Sequence, residues 1–471
     1  HLPLEKLTGA VDWNRELFDL DKPLHRQYLI HDVMTLYYGV KAYRDLLFEH
    51  FRVSHGLTAS STAMKVFQTT IPENTAYFRV HPEAERWLRK AYYGGLVRGR
   101  DTKLHKQVAS FDVNSMYPAM MLRGVPTGKP VVTSRYQPHY PGFYAVTATA
   151  PEDLDEMLYG IPYRDDRGTL FFPKGTFRTV ITSLEYEWGL RHGYRFVVHH
   201  GLYFPQVEHI FDDFVNLCKT LRMTDYDGPI GRLAKLIQNS GYGKFGMHPE
   251  VIRLVFSEDA PDEEGYVPHG SVLDASNHFW EKTEEADAPY MMPHWAAWIT
   301  AQARLTILGM IERLGPAFLY ADTDSVKFDL ALVPDFDALR QEIEGKDYGQ
   351  FKFEGVYDYF VVVAPKTYGG MKQDAKTRQY VADLKAKGVP NGLLDWVTIS
   401  LAARNLLVSK TYVQSFSTRR VIQGQPFWRD ASRLLTRPNQ VQAWEWDATT
   451  RTYRAKRILG GFANAGERGA F

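Results

Sequence analysis

The stretch Tyr320-Ala321-Asp322-Thr323-Asp324-Ser325 decides how this chain is read. The apolar run Ala317-Phe318-Leu319-Tyr320 leads into two carboxylates two residues apart. If the run is a strand and the acids close its end or a hairpin tip, side chains at i and i+2 point the same way. Two like charges on one face repel. A chain tolerates that where a cation lies between them or one acid stays protonated. Two divalent metals bridging such acids are a known engine for attack at phosphorus. Taken alone, an Asp-x-Asp pair is also what a solvated turn looks like, so the rest of the chain has to discriminate.

At 471 residues the chain exceeds a single compact core, and about two to four domains or subdomains are expected. A net charge of +1 removes any whole-chain polyelectrolyte argument for nucleic acid. The single cysteine, Cys218, excludes an internal disulfide and a cysteine-based zinc site. No apolar run reaches the length of a membrane span and no signal peptide is visible, so no membrane partner is expected. A monomer in the cytoplasm, that of a bacterial host if the chain is phage-encoded, is the accompanying expectation. The charge is unevenly placed. Residues 401–471 hold 12 Lys/Arg against 4 Asp/Glu, including Arg419-Arg420, Arg429, Arg433, Arg454 and Arg457 among Phe427, Trp428, Trp444, Trp446 and Tyr453. Cations interleaved with aromatics suit a phosphate backbone beside stacked bases, although a solvated arginine-rich face has the same composition. Residues 258–290 hold 10 acids against one lysine and read as a polar surface insertion.

The apolar spacing predicts helices over 26–50, 83–93 (stopped at Gly94-Gly95), 115–122, 211–222, 229–243 and 293–314. Residues 54–75 are small and polar and read as a linker or loop with a helical piece. Strands are expected at 108–113 and 357–364, and a strand-turn-strand carries the acids at 318–329. Residues 126–205 form a strand-rich insertion, and 211–243 an αα-hairpin.

Four pieces then combine. Asp112, in Ser110-Phe111-Asp112-Val113-Asn114-Ser115-Met116-Tyr117-Pro118, closes an apolar strand just before a turn into a helix, where it can share a metal with a neighbouring acidic hairpin. Such acids suit phosphoryl transfer, whose transition state spreads negative charge over several oxygens. Lys235, Asn239 and Tyr242 fall at i, i+4 and i+7, so one helix face presents a cation, an amide and a ring. Lys366-Thr367-Tyr368 follows a strand, placing a cation two residues before an aromatic. Each piece alone reads as ordinary surface. In the order Asp112, Lys235, Asp322/Asp324, Lys366 they resemble the polymerase motifs of family B DNA polymerases: Asp-x-x-Ser-hydrophobic-Tyr-Pro, Lys-x-x-x-Asn-Ser-x-Tyr-Gly, Tyr-x-Asp-Thr-Asp-Ser and Lys-x-Tyr. Two insertions between the motifs, with Tyr92-Tyr93-Gly94-Gly95 and Thr300-Ala301-Gln302-Ala303-Arg304, resemble the protein-primed branch of phages and linear plasmids.

The resemblance implies an α/β (α+β) right-hand fold of palm, fingers and thumb with two insertion subdomains. The expected division is 1–50 exonuclease remnant, 51–105 linker and start of palm, 106–124 palm, 125–210 first insertion, 211–246 fingers, 247–292 second insertion, 293–398 palm and 399–471 thumb. It implies DNA-directed synthesis on a primer 3′-hydroxyl with two Mg²⁺ ions, for which Mn²⁺ can substitute. The implied partners are template-primer DNA, deoxynucleotides and a terminal protein as primer, in strand-displacing replication of a phage or other mobile element. A primer-independent relative and a catalytically silent DNA-binding subunit are the rival readings. By resemblance Asp112 and Asp324 hold both metals with the Val113 carbonyl, and Asp322 supports them. Tyr117 selects the deoxyribose, and Lys235, Asn239 and Tyr242 meet the incoming nucleotide with Arg222 or Lys219. Tyr92, Gly94, Gly95, Ser115, Arg304, Thr323, Lys366 and Tyr368 contact DNA. Tyr28 and Asp32, in Tyr28-Leu29-Ile30-His31-Asp32, resemble one proofreading motif. The Asp-x-Glu that should precede it is missing from the residues before Tyr28, so this chain by itself is not expected to proofread.

Overall fold

The computed structural model describes residues 19–72, 77–165, 168–257, 259–268, 279–285, 290–374, 377–387, 389 and 394–403, and the backbone of strands lying between 408 and 455. Two compact units divide the chain. One gathers the described parts of 1–76 and 210–291, the other those of 77–209 and 292–471.

The second unit is organised by a seven-stranded antiparallel sheet. Its order is Val97–Gly99, Phe318–Asp322, Ser325–Asp329, His105–Val113, Phe351–Ala364, Thr367–Gln373, Tyr380–Ala386. The expected strand at 108–113 begins three residues earlier, and that at 357–364 begins at Phe351, because both pair along their whole length. On one face Phe111 packs against Phe328, Phe336 and Phe353. The helix Pro293–Leu314 is enclosed almost throughout, with Trp295, Ile299, Ala303, Ile307 and Ile311 buried, and Pro at its first turn suits a helix start. The 126–205 region is strand-rich, as its composition suggests. A four-stranded sheet (Val131–Thr133, Arg195–Tyr203, Gly142–Thr149, Thr176–Thr182) closes on its own core of Tyr144, Val146, Ile161, Phe177, Ile181 and Tyr186. Its helix Ser183–Arg191, not expected from the sequence, starts on a capping box between Thr182 and Glu185.

In the first unit, residues 54–75 contain the expected helical piece. Ala59–Thr70 is a packed helix capped by Thr58 and Ser61, and Phe67 meets the rings of Phe211, Phe214 and Phe245. One ring among small residues makes a narrow apolar stripe, so the periodicity was faint. The helical pair is Asp212–Thr224 and Pro229–Phe245. The acidic insertion is itself a sheet, Glu250–Phe256, Phe279–Glu285 and Val267–Pro268, on which Lys282 meets Glu263 at 2.7 Å. The helix expected to run to Tyr93 ends at Leu88, tightens to a 3₁₀ turn over Arg89–Ala91, and leaves Tyr92 extended. The strands between 408 and 455 pair as hairpins, but the basic and aromatic side chains proposed to hold duplex there lie outside the described residues.

Candidate active site on the central sheet

Asp322 is the last residue of Phe318–Asp322, and Asp324 is the second residue of the two-residue turn that leads to Ser325–Asp329. Thr323 takes a left-handed conformation, φ 60°, which is uncommon for a β-branched residue. Surrounding bonds enforce it: the Thr323 N–H donates to the Leu96 carbonyl at 2.7 Å, and the Val113 N–H donates to the Asp324 carbonyl at 2.7 Å. The second bond ties the turn to the strand that carries Asp112, which lies opposite Ser325 on one side and Lys352 on the other.

Cross-strand pairs share a face. One row therefore holds Asp322, Ser325, Asp112 and Lys352, and the next holds Tyr320, Lys327 and Ser110. The Asp112 carboxyl is pushed up to about 7, first by burial, then by the negative charges of Asp324 and Glu354, against the opposing pull of Lys327 and Lys352. Asp324 is also raised, mainly by burial, and further by Asp322. Two half-buried carboxylates that each resist ionisation form a site short of positive charge, which a divalent cation fits. No group of three or more His, Cys, Asp or Glu side chains converges as a metal cage among the described residues. Asp322 has partners of its own. Its Oδ1 lies 2.5 Å from Lys366 Nζ and accepts from Thr323 Oγ1 at 3.1 Å, and Tyr320 Oη reaches its Oδ2 at 3.5 Å. Asp112 and Asp324 are left as the pair that fits a metal, with Asp322 turned toward a lysine.

Lys366 occupies the turn between Phe351–Ala364 and Thr367–Gln373. Pro365 precedes it, and Lys366 has φ 61°. Proline presets the second position of such turns and the third takes positive φ. The Lys366 N–H donates to Tyr320 Oη at 2.9 Å, which orients the ring beside Asp322. Tyr368 packs against Tyr320, with centroids 5.0 Å apart. Lys327, which no motif flagged, is 3 % exposed in the same layer.

The remaining predicted residues divide. Ser115 adopts φ 48° ahead of the short helix Met116–Met121, which carries Tyr117 half-exposed. Tyr117 lies near enough to Tyr92 to raise its phenol, after burial, the larger cause. Gly95 passes directly beneath the acidic turn, where a Cβ would lie 2.8 Å from the Thr323 side chain. Gly94 is exposed. Arg304 is a correction. It is 1 % exposed, so it has no surface for DNA. Its guanidinium donates to the carbonyls of Tyr93 at 2.8 Å and Gly94 at 2.9 Å and to Glu185 at 2.6 Å, holding the Tyr-x-Gly-Gly segment in place.

In the other compact unit, Lys235 and Asn239 are exposed and Tyr242 is half-buried on one side of Pro229–Phe245. The opposite side buries Leu233, Ala234, Ile237, Gly241 and Phe245. Arg222 lies 5.0 Å from the Tyr226 ring centre, one helical turn after Lys219. Tyr28 and Asp32 are half-buried on the helix Pro23–Phe51. No helix among the described residues is long and apolar enough to cross a membrane.

The chain is similar to known DNA polymerases. It is 26 % identical over 442 residues to a protein of Neurospora intermedia named "Probable DNA polymerase", covering 84 % of this chain and 44 % of that one. It is 25 % identical over 392 residues to the DNA polymerase of Bacillus phage phi29, covering 78 % and 63 %. The chain spans less than half the length of its Neurospora, Ascobolus and Agaricus relatives. Phi29 DNA polymerase complexed with primer-template DNA and incoming nucleotide shares the fold, with a TM-score of 0.71 at 21 % identity, over 91 % of this chain and 76 % of that one. The right-hand polymerase fold, mixing helices and strands, is therefore present. The family described as DNA polymerase type B, organellar and viral, matches residues 21–301, and the chain belongs to that family.

Proposed function

We propose that this chain is a DNA-directed DNA polymerase that extends a 3′-hydroxyl, and that its synthesis is protein-primed and strand-displacing. The observation that carries the reading is the juxtaposition of Asp112 and Asp324, in a chain of this family: Asp112 pairs with Ser325, and the Val113 N–H donates to the Asp324 carbonyl at 2.7 Å. Asp112 and Asp324, with the Val113 carbonyl, would hold the divalent metals. When bound, these ions neutralise charge on the phosphates and activate the attacking oxygen.

The protein's own residues do the rest. The bond from Val113 to Asp324 fixes the spacing of the two acids. Lys366 pairs with Asp322 and, in this reading, reaches the primer backbone together with Tyr368 once DNA engages it. Lys235 meets the triphosphate, with Asn239 and Tyr242 beside the new base pair. Tyr117 excludes a 2′-hydroxyl. Gly94 and the neighbouring Tyr92 are assigned to the template strand, with Ser115 and Thr323 nearer the reacting end.

The test is primer extension with Mg²⁺. The chain is expected to extend a primed template, and Asp324→Asn to abolish extension. Unchanged extension by that variant would remove the metal site. Incubation with unprimed template, with and without a candidate terminal protein, tests the priming mode. Label joined to the protein supports protein priming, whereas label on DNA with neither protein nor primer supports the primer-independent reading.

A further inference from the structure

Lys327 lies one residue pair below the acidic row. It faces Tyr320 on one neighbouring strand and Ser110 on the other. It is 3 % exposed, in an environment where lysine is rarely found unless compensated. Three observations show how it is accommodated. Its ammonium donates to Ser325 Oγ at 3.2 Å, and the Ser325 hydroxyl reaches the Asp322 carbonyl at 3.5 Å. It lies 5.3 Å from the ring centre of Tyr368 and 5.9 Å from that of Tyr320. Aromatic faces of this kind attract a cation. Burial lowers its affinity for the proton, but Glu354, Asp322, Asp383 and Asp112 all act to keep it charged. Glu354 is held at the same level by Ser110 Oγ at 3.2 Å.

We propose that Lys327 is a built-in counter-ion of the acidic row, a positioning residue that stabilises the carboxylates before metal arrives and weakens their grip on the metal afterwards. The proposal rests on the metal reading of Asp112 and Asp324. Its physical basis is that a fixed charge in a partly desolvated site acts over several ångströms. A cation beneath the carboxylates offsets their mutual repulsion without entering the site. The same cation repels a divalent ion bound by them. A residue with only a packing role would change stability without tightening metal binding.

The experiment measures Mn²⁺ uptake by the whole chain, without DNA or nucleotide, from the loss of the free-ion electron paramagnetic resonance signal at pH 8.5. At that pH competition from protons is small. Lys327→Met and Lys327→Gln are expected to bind Mn²⁺ roughly tenfold more tightly than the parent, about 1.4 kcal/mol. Lys327→Arg, which keeps the charge, is expected to bind as the parent does. Equal or weaker binding by the neutral variants overturns the proposal. Asp324→Asn separates this result from failure of the metal site itself. If the parent takes up no Mn²⁺, or if Asp324→Asn leaves uptake unchanged, the metal reading falls and the proposal falls with it. Should the neutral variants not fold, ¹³C-lysine NMR of the parent replaces them. The Lys327 signal is expected to move in step with Mg²⁺ saturation, and an unmoved signal overturns the role.

Discussion

Lys366 Nζ stands 2.5 Å from Asp322 Oδ1, so the first acid of the Asp-Thr-Asp pair is joined to a lysine from a different turn of the sheet. This relationship separates two acids that are equivalent on paper. Asp324 is raised, mainly by burial, while Asp322 has a salt-bridge partner.

Asymmetric loss of activity follows. Asp112→Asn and Asp324→Asn are expected to remove primer extension, and Asp322→Asn to reduce it less. Lys366→Met and Asp322→Asn should be non-additive, with a coupling of about 0.5–1 kcal/mol for a partly exposed pair. A double-mutant cycle on extension rate is the measurement, and simple additivity would show that the ion pair has no part in the reaction.

Asp112 also predicts a trade between stability and function. Its carboxyl is raised to about 7. A raised acid binds its proton more tightly folded than unfolded, so without metal stability falls as pH rises from the unfolded value, about 4, through 7. Asp112→Asn should flatten that decline and gain ~1–2 kcal/mol at pH 8, after allowance for partial exposure. Urea denaturation at pH 5 and pH 8, with EDTA and then with Mg²⁺, tests this. A variant less stable than the parent at pH 8 in EDTA contradicts it.

Arg304 and Glu185 predict a large structural effect. Both side chains are almost fully enclosed, at 1 % and 0 % exposure. Removing one partner strands a buried charge, which costs about 3–5 kcal/mol, whereas replacing both by apolar residues costs less. Arg304→Met, Glu185→Gln and the pair Arg304→Met/Glu185→Leu should follow that order in chemical denaturation.

Gly95 predicts a rescue. Its added Cβ would meet the Thr323 side chain at 2.8 Å. Gly95→Ala should therefore displace the acidic turn, costing about 1–3 kcal/mol and slowing extension. Thr323→Ala removes the obstructing atoms, so the double variant is expected to recover much of the stability. No recovery would mean that Gly95 is needed for its backbone approach to a ligand.

His105 predicts a second pH effect of opposite origin. Its Nε2 lies 2.8 Å from Asp101 Oδ1, and its Nδ1 lies 3.5 Å from Asp329 Oδ2. The Asp101 bond is the main cause of its raised pKa, partly opposed by burial. Its stabilisation is therefore fully present below the unfolded value, about 6.5, and is lost as pH rises through the higher folded value. His105→Gln should lower stability at pH 6 more than at pH 9.

The sequence by itself determined the order of the motifs, the strand-turn-strand with its two acids, the long Pro293–Leu314 helix and the strand content of 126–205. These are local patterns: an apolar run broken by acids, a helical period after proline, β-branched stretches between turns. The family was legible for the same reason, since four motifs in order need no three-dimensional knowledge. Only the tertiary structure decided which acid faces which partner. Asp322 and Asp324 differ through Lys366 and Asp112, which lie 44 and 212 residues away in sequence. The burial of Arg304 is not legible in the sequence because it depends on Glu185 and the carbonyls of Tyr93 and Gly94. Lys327 gave no sequence signal because one lysine in an alternating strand reads as solvent-facing. Its concealment comes from Tyr320 and Tyr368, brought over it by strand pairing. Charge and burial at a site arise from non-local contacts, and those are set by sheet register rather than by any window of sequence.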